Sequence, residues 1–125
     1  MYLLAIRAAR STIDIEASYF LPDARTRKAL TAALARGVRV RIVLAGAQVA
    51  PFVGHASREN WAACLQPARP SGVSRARPLH SKLLIIDGFL TMGGSSNFDS
   101  RSFHFNDEAD INVFDRAFAA HMTTI

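Results

Sequence analysis

Apolar and polar positions alternate most cleanly over Thr12 to Ala17. There Ile13 and Ile15 are interleaved with Asp14 and Glu16, the period-two pattern of a half-buried strand. Ahead of it, Leu3, Leu4, Ile6 and Ala8 to Ala9 predict a short opening helix. Pro22-Asp23 starts a second helix with Asp23 as its N-cap; it runs to Arg36, sets Leu30 and Leu34 four apart on one face and stops at Gly37. Val38, Val40, Ile42 and Leu44 then alternate with Arg39, Arg41 and Val43, a second strand with one face covered. Strand, helix and strand joined this closely form a βαβ unit, and therefore a parallel pair.

Further along, residues 45–55 read as a loop containing Gly46, Pro51 and Gly54, and Ser57 to Gln66 as a helix with Trp61 and Leu65 on one face. Pro67 to Pro78 is dominated by Pro, Arg, Ser and Gly and carries little periodicity. Leu83 to Ile86 is a short apolar run closed by the turn signature Asp87-Gly88, and Phe89 to Met92 follows as its partner. Residues 82–93 are thus a predicted hairpin. Ala109, Ile111 and Val113 alternate with Asp110 and Asn112 in a last strand, and Arg116 to Met122 gives a terminal helical turn or two. The expected fold class is α/β, with about five strands and three or four helices in a single domain over residues 1–125.

Composition narrows this little. A chain of 125 residues, half of them apolar and a fifth charged, is a small globular domain able to bury a core without staples. The single cysteine, Cys64, excludes an intramolecular disulfide and a multi-cysteine metal site. No apolar run reaches the ~20 residues that cross a bilayer, and Met1 to Ala9 lacks the basic start of a signal peptide. The expectation is a soluble chain, or one held at a membrane by its surface. Charge is more telling: residues 1–80 hold twelve Lys or Arg against four acids, whereas residues 81–125 hold three against six. A net charge of +5 placed this way suits phosphate, nucleic acid or an acidic lipid surface, although charge alone favours an ordinary solvated basic face.

Chemistry concentrates after residue 79. His80-Ser81-Lys82 is followed by four apolar residues, Asp87, and then Gly94-Ser95-Ser96-Asn97. On a strand, His80 and Lys82 share a face because side chains repeat every two residues. Gly93 and Gly94 let the backbone approach a ligand closely and expose N–H groups to an anion. An imidazole, an ammonium, a hydroxyl and an amide converging on one point make a phosphate site with a nucleophile at its centre.

His-x-Lys-x4-Asp followed by x6-Gly-Ser-x-Asn is the pattern of the phospholipase D superfamily, and every fixed position is met. Six such positions coincide by chance about once in 10⁸ starting points. Ser18 to Asp23, Arg36 to Val40, Gly94 to Ser102, Phe105 to Ala109 and Asn112 to Asp115 further resemble the C-terminal half of bacterial cardiolipin synthases of the phospholipase D type.

That resemblance implies a phospholipase D-like α/β domain, with a mixed central sheet flanked by helices on both faces. It also implies a phosphatidyltransferase acting on phosphatidylglycerol at the cytoplasmic side of a cell membrane. It makes His80 the nucleophile that forms a phosphohistidine, and Lys82, Ser95 and Asn97 the holders of the phosphate oxygens. Glu108 matches the acid that orients the histidine ring. Asp87 belongs to the same catalytic motif, but its place at the far end of the strand from His80 fits a structural role better. No metal or other cofactor is implied.

The family's mechanism uses a second motif half, supplied either by a homodimer or by an N-terminal half missing here. The opening Met1 falls where the relatives are mid-protein, which favours a fragment. Two alternatives stay open: a phosphodiesterase or endonuclease on the same site, with nucleic acid as partner, and an inactive half-site that only binds anionic lipid. His55, His104 and His121 are expected in packing or at the surface. Arg101 is either an ion-pair partner of Asp99 or a headgroup contact. The segment from residue 67 to 78 departs from the relatives, which enter the motif through a Gly-Val-x-Ile-Tyr-like strand.

Overall fold

A computed structural model of the chain describes residues 1–18, 20–44, 81–95, 98–99 and 109–124. The predicted loop at 45–55, the helix at 57–66 and the segment at 67–78 lie outside the described residues. Helix α1 (Tyr2–Ala8) leads into β1 (Thr12–Ala17), the two-residue β2 (Phe20–Leu21), helix α2 (Ala24–Ala35) and β3 (Arg39–Leu44). The remaining elements are β4 (Leu83–Ile86), β5 (Leu90–Gly94), β6 (Phe98–Asp99), β7 (Asp110–Phe114) and helix α3 (Arg116–Thr124).

The predicted boundaries of β1, α2 and the hairpin hold closely. Asp23 caps α2, its side chain accepting from the Thr26 N–H at 2.7 Å, and Gly37 ends the helix at φ 84, where a side chain would be strained. β7 starts one residue later than the alternation suggested, because Ala109 is taken by Ser95. Neither β2 nor β6 was foreseen; two-residue strands have no period to read, and each exists through its pairing with the other (Phe20 with Phe98, Leu21 with Asp99).

The main sheet has the order β3-β1-β4-β5-β7. β1 and β3 are parallel, as the βαβ reading required, and the other neighbours are antiparallel, so the sheet is mixed. Ile13, Ile15, Val40, Ile42, Leu84, Ile86 and Met92 share one face and pack with Tyr2, Ala5 and Ile6 of α1 and Ala29, Leu30 and Ala33 of α2. Each fully buried Ile or Leu among them contributes roughly 1.5–3 kcal/mol. Ile85 and Thr91, on the opposite face, are buried apart from this core, as is Ala119 of α3, which packs against β5. The sheet therefore carries helices on both faces. No helix among the described residues is long and apolar enough to cross a membrane.

Candidate active site

The C-terminal ends of the parallel strands β1 and β3, the entry to β4, the exit of β5 and the start of β7 all meet at one end of the sheet. Lys82 enters β4 there. It keeps only 7% of its surface exposed, although an ammonium is among the groups least often buried. Its neighbour Ser81 turns to the other face, where the Ser81 hydroxyl donates to Oε1 of Glu16. Carrying the β4–β5 register back one residue from Leu83–Gly93 sets Lys82 opposite Gly94. A Cβ at Gly94 would collide with the Ala109 carbonyl oxygen and with Asp110, so only glycine lets β5 and β7 close this edge.

Ser95 stands just beyond. Its N–H donates to the Ala109 carbonyl at 3.1 Å, and its hydroxyl oxygen accepts from the Ala109 N–H at 3.0 Å. The structure thus brings Lys82 and Ser95 to the same end of the sheet, Lys82 buried and Ser95 exposed. His80, Asn97 and Glu108 lie outside the described residues. In sequence they adjoin Ser81, β6 and Ala109 respectively.

Asp87 is placed at the other end of β4. Its carboxylate accepts from the N–H groups of Arg10 (3.0 and 3.2 Å), Ser11 (2.7 Å) and Thr12 (2.9 Å) and from the Ser11 hydroxyl (2.9 Å). Its own N–H donates to the Thr12 carbonyl at 2.9 Å. These bonds hold a non-glycine residue at φ 54, in the left-handed region. Burial works against the charge, but the N–H groups of Thr12, Ser11 and Arg10 and the Ser11 hydroxyl outweigh it and hold the carboxyl below its ordinary 3.8. Asp87 lies five residues along from Lys82 on an extended strand, about 16 Å at ~3.3 Å per residue, so this carboxylate cannot reach a phosphate held by Lys82.

The Asp87 clamp and the Glu16–Ser81 bond were not legible as pairings in the sequence. Their partners lie 65 to 77 residues away, and the polar positions of an alternating strand look like a solvated face. No group of three or more His, Cys, Asp or Glu among the described residues is arranged to hold a metal ion.

Buried Lys82, exposed Ser95 and the glycine-closed exit of β5 thus gather at the end of the sheet where the parallel strands β1 and β3 finish. The family model described as "Cardiolipin synthase, PLD-like domain" matches residues 2–125. The chain belongs to that family. Cardiolipin synthase B of Escherichia coli K12 is 33% identical over 117 residues, which is 94% of this chain and 28% of that protein. The chain thus spans little more than a quarter of the relative's length. Among solved structures, the phospholipase D family member Nuc from Salmonella typhimurium superposes with a TM-score of 0.80 at 26% identity, covering 98% of this chain and 79% of that one. NucT from Helicobacter pylori gives 0.76 at 19% identity over 98% and 80%, a likeness of fold. This cardiolipin synthase PLD-like domain therefore has the phospholipase D-type α/β fold with the motif's Lys82 and Ser95 at one end and Asp87 at the other.

Proposed function

We propose that the domain is a cardiolipin synthase-like phosphatidyltransferase acting on phosphatidylglycerol. Membership of the cardiolipin synthase PLD-like family over residues 2–125 is the observation that carries this reading. The His80 imidazole attacks the phosphorus of one phosphatidylglycerol, the P–O bond to glycerol breaks, and glycerol leaves with a proton. A hydroxyl of a second phosphatidylglycerol then attacks the phosphohistidine, loses its proton and frees His80. Lys82, Ser95 and Asn97 hold the phosphate oxygens as charge develops, and Glu108 orients the imidazole. A second motif half, from a second copy or from another part of a longer chain, supplies the proton carrier for the alcohols. The domain works at the cytoplasmic side of the membrane from which it draws its lipid.

A second reading, a phosphodiesterase or endonuclease on the same residues, is supported by the net charge of +5, which suits a nucleic acid, and by the likeness to Nuc, a phospholipase D family member, at 26% identity.

The test mixes the chain with phosphatidylglycerol labelled in the phosphatidyl group and quenches in base, where phosphohistidine survives. Label on the wild type and none on His80→Ala is the expected result. A folded wild type that binds the lipid and takes up no label overturns the transferase. Cleavage of an oligonucleotide, lost in His80→Ala, would then favour the second reading.

A further inference from the structure

We infer that Glu16 is a positioning residue for this site, acting through Ser81 to fix the face on which Lys82 is presented. The inference rests on the reading of this end of the sheet as a phosphodiester site. The register pairs of β1 with β4 end at Glu16–Leu83. Ser81 and Lys82 lie beyond that last pair, at the point where the motif enters the sheet. There the Ser81 hydroxyl donates to Glu16 Oε1, a bond spanning 65 residues of sequence and made within a half-buried environment. A hydrogen bond to a carboxylate is about twice as strong as a neutral one, so this contact is well suited to hold the strand entry.

The geometry explains why the middle residue of the motif matters. Successive residues of an extended chain point to opposite faces. Ser81 turns to the face that carries Asp14 and Glu16, and Lys82 turns to the face that carries Leu84 and the core, where it is buried. A one-residue slip would exchange the two faces and carry the ammonium away from the site. Leu83 to Ile86 give little protection against such a slip, because four consecutive apolar residues are tolerated on either face. Glu16 supplies an anchor for the observed register, since its carboxylate accepts from the Ser81 hydroxyl at the strand entry. Placement errors of about 1 Å cost up to ~10²-fold in turnover, so the brace is felt in the chemistry.

The test compares wild type, Glu16→Ala, Ser81→Ala, the double variant and Ser81→Thr on a chromogenic phosphodiester, well below each variant's Tm. Either single alanine variant should lower kcat about ten-fold with KM nearly unchanged. The double variant should be no worse than the singles, and Ser81→Thr, which restores the hydroxyl, should recover most of the loss. Multiplicative losses in the double variant, or full kcat in Glu16→Ala, overturn the inference. A purely structural role would lower Tm and leave kcat of the folded protein intact.

If the wild type turns over no phosphodiester, the functional reading fails by itself. The brace is then measured by the affinity for inorganic phosphate followed by NMR, with Lys82→Ala as the control. A weakening of about ten-fold in Glu16→Ala supports it. Unchanged affinity, or no Lys82-dependent phosphate binding in the wild type, overturns it.

Discussion

The two ends of the central sheet are built from the same residue types and do different work. At one end, the joint between α1 and β1 is tied by complementary charges on main-chain groups. The Asp87 carboxylate collects the N–H groups of residues 10–12, and the Arg36 guanidinium donates to the carbonyls of Arg7 and Ala9, each at 3.1 Å. A cation on carbonyls at the end of α1 and an anion on amides at the start of β1 each match the local dipole. At the other end, polar side chains meet one another or line an edge: Ser81 with Glu16, Ser95 with Ala109, and Lys82 buried beside them. The sequence motif that contains both Lys82 and Asp87 is thus divided by the length of β4. Its lysine stands at the end where Ser81, Glu16 and Ser95 gather, and its aspartate ties the far end of β4 to the start of β1.

The largest effect that would break this contrast is on turnover. Lys82→Ala should reduce phosphodiester turnover by at least about 10²-fold, the usual cost of removing a charge-stabilising donor. Its Tm should move by no more than a few degrees. A large fall in Tm with turnover of the folded fraction preserved would make Lys82 a structural residue like Asp87.

Asp87→Asn is the reciprocal change, chosen because asparagine also tolerates a left-handed backbone. It removes the charge while keeping an acceptor, and should cost about 1–2 kcal/mol in unfolding free energy measured by denaturant. Because the folded carboxyl titrates below its ordinary 3.8, its contribution is present above that pH and lost as pH falls through the lowered folded value. The stability gap between wild type and Asp87→Asn should therefore be full at neutral pH and close in strong acid. At a temperature where the variant is fully folded, a turnover defect as deep as that of Lys82→Ala would return Asp87 to the chemistry.

How much of this the sequence disclosed follows the same division. β1, α2, β3 and the β4–β5 hairpin were legible because each carries several turns or repeats of a period that burial enforces. β2 and β6 were not, since a two-residue strand is defined by its partner across the fold. Residue types and motif spacing singled out Lys82 and Ser95 in the sequence, and the structure sets both at the same end of the sheet. Glu16 escaped notice because its spacing is that of an ordinary polar face. Only the arrival of Ser81 from 65 residues away gives it a task. For Asp87 the strand's length already argued against catalysis, but the amides it holds could not be named from the sequence.

The smallest effect sharpens the comparison from within a single strand. Asp14 lies on β1 only two residues beyond Thr12, opposite Arg41 of β3 in the parallel register, and the two form an ion pair at 2.6 Å. Their side chains remain 21% and 35% exposed. Water therefore solvates both charges when the pair is broken, and holding two long side chains together costs entropy that offsets the attraction. Asp14→Asn should cost no more than about 0.5 kcal/mol, and less as salt is raised. Both substitutions remove one carboxylate charge from the same sheet, so their ratio isolates what the carboxylate touches. If Asp14→Asn proved as costly as Asp87→Asn, charge on the sheet would account for both and the amide clamp for neither. A difference of several-fold, persisting at high salt, would assign the stability of this end to the main-chain groups of residues 10–12 that only Asp87 reaches.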